Sequence, residues 1–424
     1  MSQDAAASSM SPATRWRIIA LLMAFAAFGH FNRVSISVAG SEVFIPKLGL
    51  SETRMGWVYT AFLIVYTIGM VPGGWLIDRI GASRALTLYG VTMGTFIMLT
   101  GVLGWITSTA ESLWLGLLVI RSCAGLCSAP LHPGAAHVVS DLMSDRSRAT
   151  ANGMVTAGAL IGIALSFPIF GWLMDRLSWP LAFVISGSLM IAFSFFWKRN
   201  TQSVSFHAEA PLTLFPETAN ENAEWASLLL RADVWLISLS YAAYGYFQYL
   251  FFYWMDYYFK EVLKVPAVEA RWASFWIMLA MGAGMAIGGM CTDLACRRLG
   301  TTRGRRAIVV VGMGMGAVFA LLGVNVTGQI NVAMCLAVSM ASLGMCEGVF
   351  WTSATDIGGK SRGFCGAFMN ALGNVGGLVS PVLTPVMAKT IGWPGAITVA
   401  CIIAALGGAV WFAIRLPERE SSSV

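Results

Sequence analysis

Apolar residues run along this chain in long blocks, broken by short clusters of charge, proline and glycine. The blocks are about 20 residues or longer, the length a helix needs to cross a ~30 Å hydrocarbon layer. Twelve of them lie near 16–40, 55–78, 83–106, 111–139, 149–174, 179–197, 233–258, 269–295, 306–327, 330–355, 362–388 and 393–415. Each is predicted to be a helix, so the fold class is an all-α polytopic membrane protein of twelve transmembrane spans. The one long interior loop, from Lys198 to Ala232, carries Glu209, Glu217, Glu221 and Glu224 and divides six blocks from six. This predicts an N-terminal six-helix half over 1–197, a cytoplasmic linker over 198–232 and a C-terminal six-helix half over 233–424. An internal repeat supports the division. Gly74-x-x-x-Asp78-Arg79-x-Gly81 closes the second span, and Gly289-x-x-x-Asp293 with Arg297-Arg298-x-Gly300 closes the eighth. Two pseudo-symmetric halves of this kind predict alternating access about a midplane site.

Composition narrows the class further. Of 424 residues, 57% are hydrophobic and 11% charged, against ~25% charged in soluble domains, which excludes a soluble globular enzyme. The 45 glycines and 23 methionines suit helices that pack closely and slide. A net charge of +6 needs no nucleic acid to explain it. The eight cysteines lie in or beside apolar blocks without metal-ligand spacing and read as small core residues. No Ser/His/Asp, paired-Asp or His-rich constellation is present, so neither enzymatic chemistry nor a metal or cofactor is expected. The first residues are polar without a cleavage pattern, and Trp16 to Gly40 reads as a retained span.

Basic residues give the sidedness, because cytoplasmic loops hold the excess of Lys and Arg. With the N-terminus inside, eighteen of the 27 fall on the cytoplasmic side and seven on the other, which predicts both termini in the cytoplasm. The remaining two, Arg33 and Arg121, fall inside spans one and four.

The loop motif Gly74, Asp78, Arg79, Gly81 and Arg84, its weaker copy at Gly289, Arg121-x-x-x-Gly125, and Gly158-x-x-x-Gly162 with Pro168 and Gly171 resemble the major facilitator superfamily over nearly the whole chain. Within it, Asn32-Arg33-Val34-Ser35-Ile36-Ser37-Val38-Ala39, Gly171 to Arg176, Phe350-Trp351 through Ile357, and Phe368-Met369-Asn370 through Ser380-Pro381 are similar to the anion:cation symporter family. Bacterial members move galactonate, hexuronates, tartrate or phthalate, and animal relatives include sialin and the vesicular glutamate carriers. The resemblance implies a monomeric secondary transporter of a small organic anion, a carboxylate, in a bacterial inner membrane. It also implies that the loop motif latches the halves and acts on conformation. The chain departs from the family where coupling is expected. Members typically read Asp-Arg in span one and Glu seven residues after the span-four Arg; here Asn32 and Ser128 stand at those places.

An arginine inside a span costs several kcal/mol (~3 to ~15) unless it faces a cavity or partner, and guanidinium binds carboxylate bidentately. Arg33 and Arg121 are therefore candidate anion ligands, with a packing role as the alternative for each. Asn32, Tyr59 and Tyr66 are candidate neighbours. Tyr241, Tyr244, Gln248 and Phe252 share one face of span seven, and the first three are candidate substrate contacts. Tyr246, Tyr249 and Tyr253 form a second stripe. Asn370 and Asn374, one turn apart among glycines on span eleven, serve either ligand contact or packing. Glu347, the one acid near the middle of an apolar span, is a candidate proton carrier or counter-ion; His132, before Pro133 at an expected helix break, is a candidate relay. Protons are thus a possible second partner. The alternatives are an uncoupled facilitator or exchanger of the anion, or a membrane sensor that binds it without transport.

Overall fold

The computed structural model of the protein describes residues 10–202, 227–359 and 362–416, and these are helical with no strand among them. Twelve helices follow in order. The first six are α1 Pro12–Ala39, α2 Glu52–Ile80, α3 Ala82–Ile106, α4 in two pieces Ala110–Ser128 and Leu131–Leu142, α5 Asp145–Leu165 with Gly171–Leu177, and α6 Trp179–Thr201. The rest are α7 Ala232–Tyr257, α8 Ala267–Leu299, α9 Thr301–Asn325, α10 in two pieces Gln329–Gly344 and Glu347–Gly358, then α11 and α12, which together make up Arg362–Ala409 and part at Gly392, where φ is 71°. Nine helical stretches among the described residues are long and apolar enough to cross a membrane, and one of these, Phe364–Phe412, holds both α11 and α12. Every predicted span is found as helix, and the chain is an all-α polytopic membrane protein.

The chain divides into two compact units, Met1–Leu212 and Thr213–Val424. Helix α6 continues past the predicted end of its span to Thr201, with Lys198 and Arg199 in its last turn, where the helix dipole favours cations. The linker glutamates Glu209, Glu217, Glu221 and Glu224 lie outside the described residues.

Each unit repeats one packing scheme. In the first, α1 packs on α5, α2 on α4 and α3 on α6; in the second, α7 packs on α11, α8 on α10 and α9 on α12. Glycine makes the seams close. A Cβ added to Gly162 would strike the Ala27 backbone, one on Gly125 the Phe62 carbonyl, one on Gly344 the Met281 carbonyl and one on Gly376 the Ala242 carbonyl. In lipid, where apolar side chains gain nothing by meeting one another, such backbone proximity drives helix association. The pairs Gly158/Gly162 and Gly284/Gly288 face α1 and α10 of their own unit. The repeated loop motif has one backbone form: Gly81 and Gly300 end α2 and α8 with φ of 83° and 81°, a region L side chains rarely adopt.

The interruptions matter most for function. Helix α4 breaks at Ala129–Pro130 rather than at His132–Pro133, because Pro133 falls in the first turn of the second piece, where a missing N–H costs nothing. Helix α10, which holds the equivalent place in the second unit, breaks at Met345–Cys346 without any proline. In α5, Pro168 sits within a widened turn, Ser166–Phe170, the adjustment by which a helix absorbs a lost donor.

Candidate functional site

The first unit gathers its polar residues around Arg33. This side chain is half-buried on α1, and its guanidinium carbon lies 5.2 Å from the Phe62 ring centroid and 5.4 Å from that of Tyr66, both on α2. Arg121, on α4, is only 1% exposed. Its Nη2 donates to the Arg33 backbone carbonyl at 2.9 Å and its guanidinium carbon lies 4.6 Å from the same Phe62 ring. Arg121 thus fixes the backbone that carries Arg33, while Arg33 borders open space. A small cavity beside it, about 10 Å³, is lined by His30, Arg33, Tyr66, Tyr89, Ser128 and His132 among others. That is room for about one water, so a ligand of several carbons enters only when the helices around it part.

The candidate residues nearby separate into two groups. His132 meets His30 edge to face at 5.2 Å between centroids, and the His30 Nδ1 lies 3.1 Å from the Ala26 carbonyl. Ser128 donates to the Ala124 carbonyl at 2.7 Å and lines the cavity. Asn32 does not join this group. It is fully buried against α6, where its Oδ1 accepts from the Ser186 hydroxyl and its Nδ2 donates to the Phe28 carbonyl at 3.0 Å and to the Met190 sulfur at 3.6 Å. Successive residues on a helix point about 100° apart, which sends Asn32 to the neighbour helix and Arg33 to the cavity. Tyr59 packs its hydroxyl against Gly40 at the end of α1, away from the Arg33 cavity that Tyr66 lines.

The second unit centres on Glu347, the first residue of the second piece of α10. Its Oε1 accepts from the Tyr241 hydroxyl and from the Trp351 indole N–H, each at 2.9 Å. Oε2 is buried with no hydrogen-bond partner among the described residues. Tyr244 stacks on Tyr241 at 5.4 Å, and Phe350 closes the cluster at 5.0 Å from Tyr241. The positive end of a half-helix favours a carboxylate there. The span-seven stripe fans out from this point: Gln248 lies 3.8 Å from the Met281 sulfur, and Tyr249 packs against Gly377. Asn370 and Asn374 are half-buried on α11 with no side-chain hydrogen bond among the described residues. Asp256 and Asp356 are paired: Lys260 Nζ lies 2.6 Å from Asp256, with both side chains buried, and Arg305 lies 2.8 Å from Asp356. No group of metal-ligating residues occurs among the described residues.

In the loop motif, Arg79 stacks over Trp75 at 5.0 Å, Gly74 faces open space and Arg84 is exposed. The Asp78 side chain lies outside the described residues. Residues the sequence reading missed are Phe62, Tyr89, Ser186 and Trp351 as partners of the candidates. Phe62 had a legible signal: with Tyr59 and Tyr66 it completes an i, i+3, i+7 face of α2.

The profile of the Major Facilitator Superfamily matches residues 18–364 and 298–424. The chain belongs to the major facilitator superfamily. It is therefore a transport protein rather than an enzyme. Similar proteins in this superfamily include the probable galactarate/D-glucarate transporter GudP of Escherichia coli (strain K12), 26% identical with 91% of this chain and 90% of the relative covered. The probable sulfoacetate transporter SauU of Cupriavidus necator is 25% identical, covering 88% of this chain and 87% of the relative. The D-galactonate transporter of Escherichia coli O6:H1 is 23% identical, covering 93% of this chain and 94% of the relative. Among solved structures, a bacterial homolog of the human lysosomal transporter Spinster, inward-facing and unoccupied, superposes with a TM-score of 0.78 at 15% identity, covering 96% of this chain and 98% of that one. That likeness carries the major facilitator fold alone.

Proposed function

We propose that the protein is a secondary transporter of a small organic anion, a carboxylate of the sugar-acid or related organic-acid class, working by alternating access of its two six-helix units as a monomer in a bacterial inner membrane. The observation that carries this reading is Arg33, a guanidinium at span depth bordering a cavity, steadied by Arg121 through its own carbonyl and by the Phe62 and Tyr66 rings. A permanent cation so placed matches a carboxylate bidentately, and the named substrates of similar carriers are galactarate/D-glucarate, sulfoacetate and D-galactonate. Tyr66 and Ser128 supply hydroxyls beside it. The excess of Lys and Arg at one end of the helices supports cytoplasmic termini.

Glu347 is the proton carrier in this reading. Neither place where the family resemblance implies an acid holds one, since Asn32 and Ser128 stand there and both are hydrogen-bonded. Glu347 lies at a helix break, where transporters build ion and substrate sites, and its Oε2 is buried with no hydrogen-bond partner among the described residues. Tyr241, Tyr244, Gln248, Asn370 and Asn374 extend the contact set of the second unit, with His132 as a relay candidate in the first.

The test is uptake and counterflow of radiolabelled organic acids in proteoliposomes, with and without an imposed proton gradient. Gradient-driven accumulation that Glu347→Gln abolishes, with counterflow retained, is the expected result. Accumulation unchanged by Glu347→Gln removes the coupling role; counterflow with no gradient dependence in the wild type favours an exchanger or facilitator, for which the neutral Asn32 and Ser128 speak. Binding of an anion without any counterflow would leave a sensor, and no anion binding at all would overturn the reading.

A further inference from the structure

The first unit has another cavity, which shares no lining residue with the one beside Arg33. It is a groove of about 880 Å³ where the start of α3 meets the end of α6, lined among others by Ser83, Arg84, Leu88, Phe195, Lys198 and Gln202. We infer that this groove is a binding site for an anionic phospholipid of the cytoplasmic leaflet, with Arg84 and Lys198 on the phosphate and Leu88 and Phe195 along the acyl chains. The assignment of leaflet rests on the cytoplasmic termini proposed above; the site itself does not.

Polarity along the groove follows from two antiparallel helices. On α3, the lining residues Ser83, Arg84, Thr87, Leu88 and Val91 descend from the helix end, and at 1.5 Å per residue they cover about 12 Å. On α6, Phe195, Lys198 and Gln202 rise toward the same end. The upper part carries two cations and hydroxyl and amide groups, and no acid among the described residues lines it. Among the described residues neither Arg84 nor Lys198 forms an ion pair or hydrogen bond, and both are exposed. The lower part carries Leu88, 44% exposed, and Phe195, 56% exposed. A headgroup layer of about 5–7 Å lies above each face of the hydrocarbon core, so a 12 Å groove passes from one into the other. Charge at one end and apolar wall at the other match an amphiphile, and a free inorganic anion would leave the apolar part unused.

The floor is rigid. Ser83 and Thr201 hydroxyls bond at 2.7 Å, the Trp197 indole donates to the Ser83 carbonyl at 3.3 Å, and a Cβ on Gly90 would strike Ser194. Basic pockets between spans on the cytoplasmic side hold anionic headgroups, each Lys or Arg contributing about a fivefold gain in affinity.

Native mass spectrometry of the full chain, released from mixed phosphatidylglycerol and phosphatidylcholine, tests this. The wild type should retain one phosphatidylglycerol in preference to phosphatidylcholine. Retention should weaken about fivefold in Lys198→Gln and about thirtyfold in the double variant Arg84→Gln/Lys198→Gln, and Lys198→Arg should restore it. Equal retention of the two lipids by the wild type, or equal phosphatidylglycerol retention by wild type and double variant, would overturn the site. So would displacement of the lipid by millimolar inorganic phosphate, which would make this a soluble-phosphate site. Retention that appears only after Glu209, Glu217, Glu221 and Glu224 are changed to Gln would also overturn it, the linker being then the occupant.

Discussion

Arg33→Gln separates a ligand-binding arginine from a structural one. The Phe62 ring lies 5.2 Å from the Arg33 guanidinium carbon and 4.6 Å from that of Arg121. The two charges are therefore at most about 10 Å apart, and at an effective dielectric of ~20 they repel by about 1.7 kcal/mol or more. Replacing Arg33 by Gln removes that repulsion and also removes two ring contacts worth ~0.5–1 kcal/mol each. The Arg121 bond to the residue-33 carbonyl survives, since it uses the backbone. The terms nearly cancel, and unliganded Arg33→Gln should match the wild type in stability to within about 1 kcal/mol. Anion binding behaves differently. A bidentate carboxylate loses two charge-assisted hydrogen bonds of ~1.5–3 kcal/mol each, so Kd should rise by ~10² to 10⁴. Arg33→Lys keeps the charge and loses the planar fork, and an intermediate rise of ~10 to 100-fold is expected. The assay is calorimetric Kd in detergent for the organic acid giving the largest thermal shift, beside thermal unfolding without ligand. A Kd within threefold of wild type for Arg33→Gln would refute the anchoring role. A destabilisation beyond ~3 kcal/mol with affinity intact would assign Arg33 to packing.

Two further substitutions test the packing argument. Asn32→Asp puts a carboxylate against the Phe28 carbonyl and the Met190 sulfur, both of which now accept from the amide. It should cost about 1–3 kcal/mol in chemical unfolding without creating proton-dependent uptake, and a gain of gradient-driven accumulation would show that residue 32 reaches the transport path after all. Gly162→Leu forces α5 off the Ala27 backbone of α1; overpacking of this kind costs ~1–3 kcal/mol or more. Its lowered unfolding temperature should appear in the isolated, ligand-free protein, and a variant with unchanged stability but blocked counterflow would refute this packing role and assign the glycine to the transport movement.

The fold was legible because lipid makes hydropathy a direct reading of span length, and Gly81 and Gly300 marked the repeat through a backbone form that other residues resist. Arg33 was legible for the same reason, as a charge where charge is expensive. The helix breaks were less so. Pro130 and Pro133 lie three residues apart, and only the position of each in the helix turn tells which one interrupts α4. The break before Glu347 has no proline and depends on how α10 packs, which one sequence does not carry. The direction of Asn32 was also hidden: a neutral residue beside Arg33 reads as a cavity neighbour, yet the helical turn between them sends its amide to Ser186 on α6. Phe62 was missed because an apolar residue in an apolar span has no contrast, although the face it shares with Tyr59 and Tyr66 held the information.

Under the proposed reading, cation and acid belong to different units, and this bears on how tightly protons and anion are linked. Arg33 is held by Arg121 and Phe62 of the first unit, and Glu347 by Tyr241 and Trp351 of the second. When an acid adjoins the substrate-binding arginine on one helix, protonation and anion binding exchange directly at a single locus. Here the residue next to Arg33 is an amide engaged with α6, so the adjoining position supplies no acid to that exchange. Linkage between Glu347 and the anion can also pass through the equilibrium between conformations, to the extent that each ligand binds one state better than the other. Couplings of that kind are commonly ~1–3 kcal/mol, a factor of ~5 to 150. A carrier built this way moves the anion with its proton preferentially and permits movement without it, which reconciles a surviving acid in the second unit with the neutral residues at Asn32 and Ser128 in the first.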